Sequence, residues 1–396
     1  GCPCRIRVLR HVGGVASGMV SKDPSATAFT KNHTRIVKGI AVLMLLFHHL
    51  FNDYPEYEGH YINYWPFTGD QVTNIALACR ACVAVFVFIT GYGLAASYAK
   101  TFSGGRKETP RELTKFSLTR WWNLMTRYWF IVVLAWVSGQ FLGRRPWDVY
   151  GPGFMSTASR AVLDFLGISE SFQSGWFNPT WWYMSLAILM IFLAPLANYI
   201  SRRVGSLTLL AVFWLILGGF KFTATVALSL PSFFFGIVCF EYRLFDKWND
   251  LWGDRRWGIA MKAILLIAAM AVCFAAFLNY NFLGVLEVSL AWLICASVMT
   301  FISRLPGLCA VLGVFGKHSD NLFFTHTLLY SYFFLDFYYS FQIPAVILVV
   351  LAATTLLLSI AIEAAKSYSG YSRRMDELGA HVVDLLAAPV HKEEAQ

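Results

Sequence analysis

The chain has 396 residues, of which 57% are hydrophobic and only 14% are charged. Soluble domains carry about 25% charged residues, so this composition excludes a water-soluble globular enzyme. The net charge of +9 does not indicate nucleic-acid binding, because the basic residues stand between apolar blocks and form no continuous stripe. The eight cysteines lack zinc-ligand spacing, so the sequence predicts no metal site.

Ten apolar blocks have lengths of roughly 15 to 27 residues, close to the roughly 17 to 25 that a helix needs to cross a bilayer. A backbone exposed to lipid must satisfy its own hydrogen bonds, so each block is predicted to be a helix. We therefore predict an all-α, polytopic membrane protein with about ten transmembrane helices. The predicted spans are 36–52, 72–98, 122–142, 180–200, 206–220, 222–242, 259–279, 284–304, 320–339 and 343–363.

Three segments follow from this pattern. Residues 1–34 contain no apolar core for a signal peptide and are predicted to be a cytoplasmic, disordered segment. Residues 35–363 form the membrane domain, and residues 364–396 are predicted to be a cytoplasmic amphipathic tail. Within the domain, the polar residues of 153–170 favour an interfacial helix over a further span.

The distribution of positive charge predicts the orientation. If the N-terminus is cytoplasmic, 25 of the 32 Lys and Arg residues lie on the cytoplasmic side and four lie outside. Such a bias indicates that both termini face the cytoplasm. The expected location is the inner or plasma membrane, with several passes.

The first span holds the most informative polar residues. Ionisable groups at membrane depth cost about 3 kcal/mol or more and mark candidate functional sites. Lys38 and His49 are eleven residues apart, about 16 Å and three turns of a helix, so both project from one face. His48 points about 100° away, and Asp53 lies one turn beyond His49, where it can orient the imidazole. We therefore expect Lys38 and His49 to share one internal cavity.

Other spans also carry basic groups. Arg120 and Arg127, with two tryptophans between them, are suited to bind an anionic phosphate at the start of the third span. Arg80, early in the second span, requires an acidic partner. The candidates for that partner are Asp53, Asp70 and Glu287.

Each of these groups has a plainer interpretation. Lys38 can extend to the lipid headgroups with the histidines at the outer interface, and Arg127 can anchor an inner-leaflet lipid. His326, in the ninth span, fits a hydrogen-bonding role between packed helices. Trp181, Trp182 and Tyr183 match an aromatic belt at the outer interface.

At these residues the sequence resembles the acyltransferase 3 family of integral membrane acyltransferases, from about Arg35 to about Ile362. Lys38 and His49 fit the family's basic residue and histidine, separated by ten residues. Other motifs of the family are similar to parts of this chain. They correspond to Phe86 through Tyr92, to Arg120 through Arg127, and to Gly316, Ser319 and His326.

The chain departs from the family pattern at two places. No acid follows the stretch from Trp181 to Leu186, where many members have a glutamate. Ala84 stands where an acid often precedes the second-helix motif. These departures indicate a divergent branch.

The resemblance implies transfer of an acyl group from cytoplasmic acyl-CoA, with acetyl-CoA as the expected donor and no metal. The implied acceptor is a hydroxyl of a cell-envelope glycan or lipid-linked glycan. His49 is the expected general base or covalent acyl carrier, with His48 as the alternative and Asp53 as its partner. The resemblance implies donor binding by a set of residues and leaves Arg80, Ser319 and His326 as further candidates. That set is Lys38, Thr90, Tyr92, Arg120 and Arg127.

Two other classes of function are compatible with buried ionisable groups. A transporter or proton-coupled permease places such groups in its spans, but it is also expected to show broken, repeated helices, which this sequence lacks. A membrane sensor without chemistry is the third possibility.

Overall fold

A computed structural model describes residues 27–52, 59–220, 225–279 and 283–388. These residues form helices and no strand, which confirms the all-α prediction. The helices are α1 (Lys31–Phe51), α2 (Gly69–Ala78), α3 (Cys82–Thr101), α4 (Pro110–Phe141), α5 (Pro146–Tyr150), α6 (Phe154–Phe165), α7 (Trp182–Val204), α8 (Ser206–Phe220), α9 (Thr225–Glu241), α10 (Leu244–Asp250), α11 (Arg256–Asn279), α12 (Leu283–Thr300), α13 (Pro306–Thr327), α14 (Leu335–Tyr339), α15 (Pro344–Tyr368) and α16 (Tyr371–Leu386).

Several helices match the requirements for crossing a bilayer. Among the described residues, six are long and apolar enough. A seventh candidate is the pair Leu228–Glu241 and Leu244–Asp250, which is bent by 58°. These helices indicate a multi-pass membrane protein.

The bounds of the ninth predicted span, 320–339, are wrong. The helix begins at Pro306 and ends at Thr327, and a π-helical turn, Leu328–Phe333, follows it. Polar residues in the middle of α13, including Lys317 and Asp320, lower its hydropathy and hide its beginning from a search for apolar blocks.

The centre of the bundle is the contact between α1 and α13. A methyl group on Gly39 would overlap the carbonyl oxygen of Leu312, and one on Gly316 would overlap the carbonyl oxygen of Arg35. Only glycine permits this approach of two helix backbones. The main hydrophobic core surrounds this pair and adds buried residues of α3, α4 and α12.

Both ends of α1 are held in place. At its start, the Thr30 hydroxyl accepts from the His33 amide and His33 Nδ1 accepts from the Thr30 amide, which forms a capping box. The first turn of α1 therefore lies within the segment 1–34 that was predicted to be disordered. At its other end, the carbonyl oxygen of His49 accepts from the Tyr330 hydroxyl at 2.9 Å. These contacts determine the position of His49 along the axis of the helix bundle.

The segment between α4 and α7 is organised around a buried carboxylate. Asp164, at the end of α6, accepts from the Tyr150 hydroxyl at 2.7 Å and from the Phe177 amide at 2.8 Å. Burial raises the pKa of Asp164 to about 6, although these hydrogen bonds oppose the shift. This segment leads into Trp181, which is buried, so the aromatic-belt interpretation is wrong for that residue.

Candidate functional site

Three histidines form a cluster where α1 meets α13. The ring of His49 lies 5.0 Å from the ring of His48 and 5.1 Å from that of His326, measured between centroids. His326, which the sequence predicts as a separate candidate, therefore lies beside the two candidate catalytic histidines of α1.

Two of these imidazoles are held by hydrogen bonds at both nitrogens. His48 donates through Nδ1 to the Ala76 carbonyl at 2.8 Å, and its Nε2 accepts from the side-chain Nδ2 of Asn52 at 3.3 Å. His326 donates through Nδ1 to the Phe323 carbonyl at 2.9 Å, and its Nε2 accepts from the Thr327 hydroxyl at 3.1 Å. This geometry favours the tautomer with the proton on Nδ1 for both rings.

His49 differs from its neighbours. Within the described part of the chain, neither of its ring nitrogens has a hydrogen-bond partner. Its side chain lines a cavity of about 310 Å³, which we call the histidine cavity. The other residues that line it are Leu45, His48, Arg80, Val83, Glu170, Trp176, Trp182, Leu228, Ser229 and Glu287.

An acidic partner is predicted for two of the candidate residues, Arg80 and His49. Arg80 pairs with Glu287, with 3.4 Å between Nε and Oε1, so the structure selects one of the three candidate partners. Both residues line the histidine cavity. The predicted contact of Asp53 with His49 lies outside the described residues.

A second cavity, of about 280 Å³, collects most of the predicted donor-binding residues. We call it the basic cavity. The predicted residues that line it are Lys38, Thr90, Arg120, Arg127 and Ser319. The Arg120 guanidinium also lies 3.4 Å from the centroid of the Phe116 ring, which holds the side chain against its own helix.

Asp320 organises this cavity and was not among the predicted residues. Its carboxylate lies 2.7 Å from Arg127 Nη1 and 3.7 Å from Lys38 Nζ, so it joins α4 and α1 through α13. The available signal was an acid in the middle of a membrane helix, which is itself a mark of function. One carboxylate against three cations, Arg120 included, leaves the cavity with an excess of positive charge.

Tyr92 lies apart from both cavities. It is buried, its hydroxyl donates to the Thr27 hydroxyl at 2.8 Å, and its ring packs edge-on against Phe29 and Phe245. The structure thus places Tyr92 in the hydrophobic core.

Lys38 and His49 line different cavities, so the expectation of one shared cavity is wrong. Three aromatic residues that line the basic cavity, Phe86, Tyr183 and Phe323, pack against one another, and we call them the aromatic cluster. Their ring centroids are 5.0 to 6.5 Å apart, and the Phe323 ring lies 6.3 Å from that of His326. The sequence could not show this cluster, because its three rings come from α3, α7 and α13.

A third space, the polar cavity, adjoins the basic cavity and has a volume of about 350 Å³. The two share Asn123, Arg127 and Asp320. Its remaining lining comes from α4, α13, α15 and α16, and includes the cations Lys317 and Lys366.

Residues 35–364 match the sequence model of a family described as an acyltransferase domain, acyltransferase 3. The matched segment contains every residue that lines the histidine and basic cavities. No curated protein and no solved structure shows a significant match to the chain.

Proposed function

The chain belongs to the acyltransferase 3 family, and on that premise we propose that it transfers an acetyl group from acetyl-CoA to a hydroxyl of a cell-envelope glycan or lipid-linked glycan. The observation that carries this proposal is the state of His49. Among the three clustered histidines, it is the one without a hydrogen-bond partner in the described structure, and it faces a cavity.

The basic cavity supports an anionic thioester donor. Lys38 and Arg127, which Asp320 holds 3.7 Å and 2.7 Å away, present two cations to the cavity. Phosphate groups favour such paired cations, and arginine can bind them in a bidentate manner. We place the pantetheine arm in this cavity, with its thioester directed at the aromatic cluster.

The chemistry at His49 conserves one proton. The neutral imidazole removes the proton of the acceptor hydroxyl while the hydroxyl oxygen bonds to the thioester carbonyl carbon. The carbon–sulfur bond then breaks, and the imidazolium returns the proton to the departing thiolate. In the covalent alternative, His49 first accepts the acyl group from the thioester and then passes it to the acceptor hydroxyl. The basic and histidine cavities share no lining residue, so either route requires a passage to open between them, and we assign that movement to the aromatic cluster.

The histidine cavity supports a hydroxylated acceptor. Trp176 and Trp182 supply flat aromatic surfaces, and the Arg80–Glu287 pair supplies a donor and an acceptor of hydrogen bonds. Six of the eleven lining residues are polar, so several hydrogen-bonding groups lie beside the two aromatic surfaces and can orient a small polar ligand. A sugar presents both an apolar ring face and hydroxyl groups to such a wall.

Ten spans with both termini in the cytoplasm place the donor and acceptor on opposite sides of the inner or plasma membrane. Four of the basic residues that favour this orientation, Lys38, Arg120, Lys317 and Lys366, line the basic or polar cavity, which supports cytoplasmic entry of the donor.

The test is incubation of the purified protein with acetyl-labelled acetyl-CoA and the glycan acceptor. We expect free CoA and acetylated glycan from the wild type and a loss of roughly 100-fold or more from His49→Ala, as for removal of a general base. His381→Ala, an exposed histidine of α16, is the matched control and is expected to retain activity. Label on the wild-type protein without acceptor indicates the covalent route.

Full acetyl transfer by a correctly inserted His49→Ala protein would refute this mechanism. A wild type that releases no CoA but moves a solute across vesicles would instead favour the transporter interpretation.

A further inference from the structure

The C-terminal helix α16 is docked on the membrane domain. The Trp122 indole donates to the Met375 carbonyl at 2.7 Å, and the Tyr371 hydroxyl donates to the Thr126 carbonyl at 2.7 Å. The helix backbone also approaches Trp122 closely at Gly379, where a methyl group would overlap the indole. Three contacts along one face hold the helix against α4.

This docking closes one side of the polar cavity. Four residues of α16 line that cavity opposite the cations of the bundle: Tyr371, Ser372, Met375 and Asp376. Family membership does not account for them, because the matched segment ends at residue 364. The helix therefore contributes to a cavity through residues that belong to this chain and not to the family domain.

The position of the polar cavity identifies the part of a ligand that it can hold. It shares Asn123, Arg127 and Asp320 with the basic cavity, so a single extended molecule can occupy both. With the thioester of the donor directed at the aromatic cluster, the other end of the donor reaches the polar cavity. That end is a phosphorylated nucleoside, with anionic, hydroxyl and base groups.

The lining of the cavity is matched to those groups. Three cations for phosphate line the cavity: Arg127, which Asp320 holds at 2.7 Å, Lys366, which Glu363 holds at 3.0 Å, and Lys317. Asp376 supplies a carboxylate, which accepts hydrogen bonds from ribose hydroxyls or a base amino group. The volume of about 350 Å³ is in the range of small-molecule sites.

We propose that α16 forms part of the donor site and that the polar cavity binds the nucleotide end of the acyl-CoA donor. This inference rests on the proposed function, since it takes acyl-CoA as the donor.

The test uses a side chain that blocks the cavity without disturbing the docking contacts. Ser372 is exposed at the cavity, so Ser372→Trp places an indole in the space while the contacts of Tyr371, Met375 and Gly379 remain. Glu377→Trp puts the same bulk on an exposed position of α16 that does not line the cavity, and is the matched control.

Measurements with two acetyl donors distinguish a failure of this inference from a failure of the proposed function. For acetyl-CoA, we expect Ser372→Trp to raise KM roughly tenfold or more, as expected when part of a bound ligand is excluded. The KM for S-acetyl-pantetheine, which lacks the nucleotide, is expected to stay unchanged. Adenosine bisphosphate, the nucleotide fragment alone, is expected to inhibit the wild type and the Glu377→Trp protein but to inhibit Ser372→Trp about tenfold less.

Equal KM values for acetyl-CoA in Ser372→Trp and Glu377→Trp, or equal inhibition by adenosine bisphosphate, would overturn the inference while the proposed function stands. Equal losses with both donors would also overturn it and make α16 a structural support. A wild type that uses neither donor would instead remove the proposed function itself.

Discussion

His48 and His49 are adjacent in sequence but point about 100° apart around α1. That angle separates their environments. His48 reaches the Ala76 carbonyl and the Asn52 side chain, so both of its nitrogens are engaged. His49 turns to His326 and to the histidine cavity. The ten-residue gap after Lys38 selected His49 from the sequence, and the hydrogen bonds support the same choice independently.

Asp164, which lies outside the predicted spans, allows a test of how the stability of the protein depends on pH. Its pKa is raised to about 6 by burial, so the folded chain holds this proton more tightly than the unfolded chain, where the pKa is 3.8. The contribution to the free energy of unfolding is therefore greatest below about pH 4 and falls by about 3 kcal/mol as the pH rises to about 6. Asp164→Asn keeps the shape of the side chain but cannot titrate.

We expect the melting temperature of the wild type in detergent to fall between pH 4 and pH 7 relative to that of Asp164→Asn. Asp148→Asn, at an exposed position of α5, is the control and should follow the wild type. Parallel curves for the wild type and Asp164→Asn would show that burial does not perturb this carboxylate.

At the scale of the element, α13 supplies more of the site than any other helix. Asp320 pairs with Lys38 and Arg127 near its middle, and His326 lies at its last turn. A π turn follows α13 directly, and the Phe324 carbonyl, one turn before it, accepts from the Trp181 indole at 3.0 Å. Such turns are frequent at functional sites, and this hydrogen bond ties the start of α7 to the histidine cluster.

The prediction at the scale of the element concerns the close contact between α1 and α13. Gly316→Ala places a methyl group against the Arg35 carbonyl, so the two helices must separate. We expect a loss of about 1–3 kcal/mol in the free energy of unfolding, as for other overpacked sites, and a fall in acetyl transfer as His49 moves away from His326. The measurements are the melting temperature and the turnover number.

Gly307→Ala is the control on the same helix, because no atom lies within 4 Å of the added methyl group. It should preserve both the melting temperature and the turnover number. If Gly316→Ala were as stable and as active as Gly307→Ala, close packing of α1 on α13 would not be what aligns the site.

At the scale of the whole molecule, the three cavities form a sequence from the polar cavity through the basic cavity to the aromatic cluster and the histidine cavity. The polar and basic cavities share lining residues, the aromatic cluster lines the basic cavity, and the Phe323 ring of that cluster lies 6.3 Å from the ring of His326. This arrangement leads from the cations of the polar and basic cavities to the histidines of α1 and α13. It also requires that α1 and α13 run in the same direction, as their paired contacts show.

The orientation can be tested with cysteine substitutions on opposite sides of the predicted membrane. Ser171, between α6 and α7, and Ser103, between α3 and α4, are both exposed. We expect a membrane-impermeant thiol reagent to label Ser171→Cys in intact cells, and Ser103→Cys only after permeabilisation. The native cysteines are removed for this experiment. The opposite pattern of labelling would place both termini outside and contradict cytoplasmic donor entry.

The sequence by itself determined the helical membrane class, because uninterrupted apolar blocks have few alternatives in lipid. It also identified the family and the pair Lys38 and His49, since both depend on spacing along one chain segment. The tertiary structure alone decided that Asp320 joins Lys38 to Arg127, that Glu287 pairs with Arg80, and that Lys38 and His49 line different cavities. Those contacts join residues far apart in the chain, and hydropathy carries no information about which helices become neighbours.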